Sequence, residues 1–260
     1  MKKKLVLTLS GGMDSSVLLY MAQDRGYEEI HTVTFDYGQR HKRELACVDK
    51  QIKNFNEQFN AWMNIKVTNK VLDVKYIKDI APTSSLTNTD IDNPNISDMA
   101  GDAQPVSYVP FRNLMFLSIC SSYAEGVGAD TVWYGAAQVD SLAGYWDGSE
   151  EFVNNVNTVT ELNRENRIKI EAPLLDMSKA DIVKEGIRLG VKYKDTWTCY
   201  SEGKVEKNGK GYHLIADATT PSSSMRVKGF VDAGYKDPIT YLQQDKLNKL
   251  YEENNCRECA

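Results

Sequence analysis

Ser10-Gly11-Gly12-Met13-Asp14-Ser15-Ser16 has the residue types and spacing to hold a polyanion. Gly11 and Gly12 can adopt the backbone angles of a tight turn and let amide N–H groups approach an anion. Ser10, Ser15 and Ser16 add hydroxyl donors, and a helix starting here adds a partial positive charge. Asp14 has the wrong sign for a phosphate; it suits a helix cap or a Mg²⁺ that arrives with a nucleotide. No Gly-Lys-Ser/Thr follows the glycines, so the loop is not a Walker A. The apolar run ending at Leu9 precedes the loop, and a helical pattern from Ser15 to about Asp24 follows it. That is the strand–loop–helix order of a phosphate cradle; a plain glycine turn is the alternative.

Other residues could complete such a site. Tyr37-Gly38-Gln39-Arg40-His41 follows the β-branched run Ile30 to Asp36, and a helix is expected from Arg43 through Phe55. A strand, a helix and a strand this close make a βαβ unit and imply a parallel sheet, with ligands beyond the carboxyl ends of the strands. Phe35 reads as an adenine-pocket residue or a core aromatic. Arg112, at a loop–helix junction, could clamp a carboxylate or a phosphate, or lie on the surface. Ser178 and Asp181 have capping-box spacing, which places Lys179 at a helix start. A cation is unfavourable there unless an anion is near, so Lys179 faces a phosphate or solvent.

The remaining elements must position these groups. Ile65 to Val67 and Val71 to Val74 read as two short strands, Thr131 to Ala136 and Arg167 to Leu174 as two more, and Leu114 to Gly126 as a helix. Pro82 to Gln104 is a long polar loop of the functional or mobile kind. Ser201 to Gly211 reads as a loop or linker, followed by helices over Ser222 to Ala233 and Ile239 to Glu253. The fold expected is α/β, a doubly wound, mostly parallel sheet over residues 1–200 with a small helical C-terminal part over 201–260. Net charge is -5, which gives no basic footprint for nucleic acid. The N-terminal apolar run is too short for a signal peptide and no run is long enough to span a membrane, so a cytoplasmic protein is expected. Cys47, Cys120, Cys199, Cys256 and Cys259 are odd in number and read as reduced thiols, Cys120 as a core residue.

Several strings together resemble one family. They are Ser10 to Ser16; Phe35-Asp36-Tyr37-Gly38-Gln39-Arg40-His41 with Glu44; Val109-Pro110 with Arg112-Asn113; Ala172-Pro173-Leu174 with Ser178-Lys179; Thr196-Trp197 with Cys199-Tyr200; Arg226 with Gly229-Phe230; and Asp237-Pro238 with Tyr241. The chain resembles, over essentially its whole length, the QueC or ExsB-like 7-cyano-7-deazaguanine synthase branch of the PP-loop ATP pyrophosphatases. The resemblance implies an adenine nucleotide alpha hydrolase-like fold and an ATP-dependent C–N ligase. Such an enzyme adenylates the carboxylate of 7-carboxy-7-deazaguanine, releases pyrophosphate, and uses ammonia to form the amide and then the nitrile. Leu9, Ser10, Gly11, Gly12, Asp14, Ser15, Ser16, Phe35 and Lys179 are the implied nucleotide-side residues, with Asp14, Lys179 and Arg112 catalytic. Tyr37, Gln39, Arg40, His41, Arg112, Asn113, Gly135, Gln138, Asp140 and Tyr145 are the substrate-side candidates. ATP, Mg²⁺, a small deazapurine substrate and a homodimer come with the resemblance.

The chain also departs from the family. A structural zinc held by four cysteines is expected there, but only Cys199 is retained; Asp217, Thr220 and Ser223 occupy the other places. That donor set is poor for zinc. A zinc-free protein is therefore expected, its C-terminal segment held by packing and hydrogen bonds. Cys256 and Cys259 have Cys-x-x-Cys spacing and could swing back to Cys199, or sit in a frayed tail. The stretch from Asp140 to Ser149 is one residue longer before its glycine than the family's Asp-Tyr-Ser-Gly-Tyr-Pro-Asp-Cys-Arg. It has Trp146 where proline is expected, and Phe111 replaces the small residue usual before Arg-Asn. These changes leave two alternatives to nitrile synthesis open. One is an enzyme that stops at the amide or conjugates the acid to another amine, such as one on a partner protein in a phage or defence setting; the other is a non-catalytic nucleotide-binding subunit.

Overall fold

The structure is a computed structural model that describes residues 2–39, 43–59, 65–88, 90–91, 105–137, 144–199, 204–208 and 211–259. Among these residues, β1 (Lys4–Thr8), β2 (Glu29–Asp36), β3 (Lys66–Asp73), β4 (Thr131–Trp133) and β5 (Lys169–Glu171) form one parallel sheet in the order β3-β2-β1-β4-β5. Chain order reverses between β1 and β4, which makes the gap beyond their carboxyl ends the switch point of the sheet. Alternate residues of each strand face opposite sides. Leu5, Leu7, Ile30 and Trp133 face one core, built with α1 (Met13–Asp24), α2 (Arg43–Phe59) and α6 (Lys179–Leu189). Val6, Val33, Phe35 and Val132 face the other, built with α4 (Arg112–Val127) and α5 (Glu150–Thr160). A short α3 (Ile77–Ile80) follows β3. The sheet is therefore doubly wound, as expected.

Three details differ from the sequence expectation. The two short strands around residues 65–74 are one strand, paired from Glu29↔Lys66 through Asp36↔Asp73. Its polar middle is tolerated because β3 is an edge strand, and Thr32 and Thr34 hydroxyls donate to Asn69 Oδ1 at 2.9 and 3.1 Å. The segment read as a linker contains β6 (Lys204–Asn208), antiparallel to β7 (Gly211–Ala216), so the C-terminal part is not wholly helical. The second C-terminal helix, α8 (Gln244–Glu253), begins later than the periodicity suggests. Before it, β8 (Thr240–Tyr241) adds to β7, because Asp237 holds that stretch extended: Ile239 N–H donates to Asp237 Oδ1 at 3.2 Å and Tyr241 OH to Oδ2 at 2.7 Å.

A buried pair anchors this region. Arg226 on α7 (Pro221–Ala233) donates from Nε to Asp237 Oδ2 at 2.7 Å and from Nη2 to Oδ1 at 3.0 Å. It also donates to Thr196 Oγ1 at 2.7 Å, Thr198 Oγ1 at 3.2 Å and the Tyr193 carbonyl at 3.1 Å. Burial opposes the Arg226 charge and Asp237 outweighs it, so the guanidinium stays ionised. The tail is not frayed. Arg257 N–H donates to the Gly234 carbonyl at 2.9 Å, Lys236 N–H donates to the Arg257 carbonyl at 2.8 Å, and the Arg257 guanidinium lies 5.1 Å from the Tyr235 ring centre. Cys256 is buried in the C-terminal core and Cys259 packs against the first core, where burial pushes its thiol up to about 11.

Candidate active site

A cavity of about 270 Å³ opens at the switch point, lined from β1, β2, the starts of α1 and α4, and the loops beyond the strands. Leu9, Ser10, Gly12, Asp14 and Ser15 form one wall. The loop is self-bonded: Ser10 N–H donates to Ser15 Oγ at 3.2 Å, Gly12 N–H to Ser10 Oγ at 3.2 Å, and Ser16 Oγ to the Gly12 carbonyl at 2.8 Å. Gly12 precedes α1 without a side-chain cap, and the first-turn N–H groups have no intrahelical acceptor. Gly11 has φ +86°, and a Cβ there would lie 2.1 Å from the Glu44 carbonyl, so only glycine lets α2 close behind the loop. Gly11 and Ser16 thus back the wall rather than line it. The Gly11 carbonyl accepts from Trp197 N–H at 3.1 Å, tying the loop to the segment that Arg226 holds.

Lys179 is the first residue of α6, and the predicted capping box of Ser178 and Asp181 is present. Its Nζ lies 2.6 Å from Asp14 Oδ2, across the loop, with the two side chains 14% and 23% exposed. So the expected anion beside this lysine is Asp14 itself, and Asp14 acts as its partner, not as a helix cap. Asp14 Oδ1 is buried with no hydrogen-bond partner. Gly229 on α7 sits directly behind: a Cβ there would lie 2.8 Å from Lys179 Cβ.

The facing wall draws on distant segments. Phe35 lines the cavity and stacks on Phe116, ring centres 3.8 Å apart at 2°. Gln39 is held inward: Tyr37 N–H donates to its Oε1 at 3.0 Å and its Nε2 to the Phe35 carbonyl at 3.3 Å. Tyr37 OH accepts from Arg112 Nη1 at 3.4 Å. Burial raises the Tyr37 phenol and Arg112 opposes the shift, so the group stays neutral at ordinary pH. Asn113, Gly135 and Tyr145 also line the cavity; a Cβ on Gly135 would meet the Ser15 amide at 3.7 Å, which places the end of β4 against the start of α1. Arg40, His41, Gln138 and Asp140 lie outside the described residues. Ser107, Tyr108, Phe116 and Asp147 line the same cavity, although their types and spacing did not single them out as site residues. The signal for Asp147 in the sequence was the family's Tyr-Pro-Asp, whose aspartate it matches in the stretch from Asp140 to Ser149.

Two of the departures from the expected pattern, Phe111 and Trp146, meet. Phe111 and Trp146 are in edge contact at 5.5 Å, and both Phe111 N–H and Trp146 Nε1 donate to Tyr108 OH, at 3.0 and 2.9 Å. Phe111 takes φ +53°, a costly conformation for a non-glycine residue.

The four places of the expected zinc site also converge. Cys199 Sγ lies 3.7 Å from Thr220 Oγ1 and 3.8 Å from the Asp217 carbonyl, and Thr220 Oγ1 donates to Ser223 Oγ at 2.8 Å. The Asp217 carboxylate is turned to Thr219 and Gln243, at 2.7 and 2.9 Å. One thiol with two mutually bonded hydroxyls and a carbonyl does not fit zinc. Among the described residues no group of three or more His, Cys, Asp or Glu could hold a metal ion.

A parallel sheet with a glycine loop and helix N-terminus at its switch point, crossed by a lysine–aspartate pair, defines a nucleotide-binding α/β protein. The family pattern described as "Queuosine biosynthesis protein QueC" matches residues 4–234, and the chain belongs to that family. It is 38% identical over 253 residues to the 7-cyano-7-deazaguanine synthase of Clostridium kluyveri, covering 92% of this chain and 98% of the relative. With the enzyme of that name from Methanoregula boonei it shares 39% over 238 residues, covering 92% and 99%. With that from Thermoplasma volcanium it shares 35% over 258 residues, covering 98% and 96%.

Proposed function

We propose that the protein is an ATP-dependent ligase that makes 7-cyano-7-deazaguanine from 7-carboxy-7-deazaguanine and ammonia. The observation that carries this reading is the shared name of relatives that align over nearly the full length of both chains. It favours the nitrile over the conjugating and non-catalytic alternatives. In the reaction, a carboxylate oxygen of the acid attacks the α-phosphate of ATP and pyrophosphate leaves. Ammonia then displaces AMP at the acyl carbon. The amide oxygen is activated by a second ATP in the same way, and loss of AMP and protons leaves the nitrile.

The geometry supports assigning the loop to pyrophosphate. Hydroxyls of Ser10 and Ser15 and the first-turn N–H groups of α1 supply donors that need no reorganisation of the backbone. Lys179, held at 2.6 Å from Asp14, is the cation that stabilises charge leaving with the β and γ phosphates. The orphaned Asp14 Oδ1 fits Mg²⁺, which supplies charge neutralisation at the phosphates when bound. Arg112, Asn113, Tyr37 and Gln39 serve the deazapurine side, and Phe35, stacked on Phe116, offers the adenine an apolar wall. Zinc has no part in this reading. No helix among the described residues is long and apolar enough to cross a membrane. The division into an ATP-binding part over 1–200 and a C-terminal part over 201–260, and a homodimer, belong to the same proposal.

Mass spectrometry of protein with ATP, Mg²⁺, ammonium and 7-carboxy-7-deazaguanine tests it. The nitrile and AMP are expected. Accumulation of an adenylate or amide with no nitrile would overturn the assignment of product; no pyrophosphate at all would overturn ATP activation.

A further inference from the structure

Asp147 lines the cavity and is only 3% exposed, yet the reaction as derived gives it no role. It sits in the short 3₁₀ turn Trp146–Gly148, and three successive residues starting at Tyr145 are fixed from outside. Tyr145 OH bonds Ser107 Oγ at 2.6 Å, Trp146 Nε1 donates to Tyr108 OH at 2.9 Å, and the Asp147 carbonyl accepts from Tyr134 OH at 3.2 Å. Ser107, Tyr108, Tyr134 and Tyr145 line the same cavity, so the turn is pinned by the walls it completes. Few reasons exist to bury a carboxylate in so rigid a turn, since burial disfavours its charge. Burial raises the Asp147 carboxyl from its ordinary value, and Arg112, then the N–H groups of Asp147 and Asn113, work against that shift. A carboxylate has about four acceptor positions. Two N–H groups do not exhaust them, so acceptor capacity is left on a residue that lines the cavity.

The substrate proposed above presents a matching edge. Its six-membered ring carries a ring N–H and an exocyclic amino group side by side, next to a carbonyl. Two adjacent donors suit a carboxylate, and the neighbouring acceptor suits a guanidinium. We propose that Asp147 determines base specificity: its carboxylate accepts the ring N–H and the exocyclic amino group of the deazapurine, while Arg112 donates to the adjacent carbonyl. This rests on the functional reading above. The structural alternative is that Asp147 only completes the start of α4, whose Phe111 cap provides no side-chain bond.

Direct binding separates the two. Calorimetry measures the affinity of 7-carboxy-7-deazaguanine and of the same acid lacking the 2-amino group, 7-carboxy-7-deazahypoxanthine, for the wild type, Asp147→Asn, Asp147→Ser and Tyr145→Phe. The wild type is expected to prefer the amino-bearing acid by roughly 10- to 100-fold, the range for hydrogen bonds to a charged group. Both Asp147 variants lose that preference, binding the two acids within about threefold of each other, with ATP affinity unchanged. Tyr145→Phe loosens the turn, weakens both acids alike and keeps the ratio. Equal binding of the two acids by the wild type, or a wild-type ratio retained in either Asp147 variant, overturns the role of Asp147. If pyrophosphate is still released with the acid in that case, the functional reading stands without it. A wild type that binds neither acid overturns both.

Discussion

On the loop side of the cavity, which the proposal gives to phosphate, the lining groups come from one short stretch, Leu9 to Ser15, with Lys179 reaching Asp14 from α6. On the facing side the groups come from several separate stretches, joined by bonds of Arg112 to Tyr37, Ser107 to Tyr145 and Tyr134 OH to the Asp147 carbonyl. The phosphate side is braced from behind by backbone and a buried ion pair; the facing side is braced from within. The difference suits the ligands proposed for the two sides. Phosphates are recognised by N–H groups and charge, which a short loop at a helix start provides alone. A flat heterocycle needs an apolar wall and edge contacts at several angles, which no single segment can present.

The largest expected effect breaks the bracing of the phosphate side. Arg226→Ala leaves Asp237 buried without its partner and frees Thr196 and Thr198 beside the loop anchor Trp197. Loss of about 3–5 kcal/mol is expected, read as a shifted denaturation midpoint in urea. The wild-type midpoint should not move with a chelator, because hydrogen bonds join the positions where the family has cysteines. Next, Lys179→Ala should lower kcat for pyrophosphate release by about 10²- to 10³-fold, the scale for a lost transition-state donor, while the KM of the acid stays near wild type. A matching rise in that KM would show that the two sides are not separable. Smallest, Gly229→Ala forces a methyl group to within 2.8 Å of Lys179 Cβ. Overpacking of about 1–3 kcal/mol, or relaxation of α6 that displaces the lysine, should follow. Steady-state kinetics should show a fall in kcat with the acid KM unmoved; a change confined to the acid KM would place Lys179 on the other wall.

Much of this was legible in the chain. The run from Leu5 to Leu9, the glycines and the helix after them had to form a strand, a tight turn and a helix start, since alternation, backbone freedom and capping act over a few residues. Ser178 and Asp181 declared the start of α6 for the same reason. The sequence also carried the family strings, and with them the candidate chemistry. What it could not carry was distance. That Lys179 meets Asp14, 165 positions away, depends on α6 crossing the sheet with Gly229 close behind it. That Phe111 and Trp146 touch, that the tail docks on Tyr235, and that Ser201 to Gly211 contains a strand all depend on partners far along the chain. Asp147 shows the point most clearly. No role attaches to it from the sequence alone, and only in the assembled fold, where Ser107, Tyr108 and Tyr134 pin the turn from Tyr145 to Asp147, is it buried beside the cavity, because burial belongs to the assembled walls and to no stretch of residues alone.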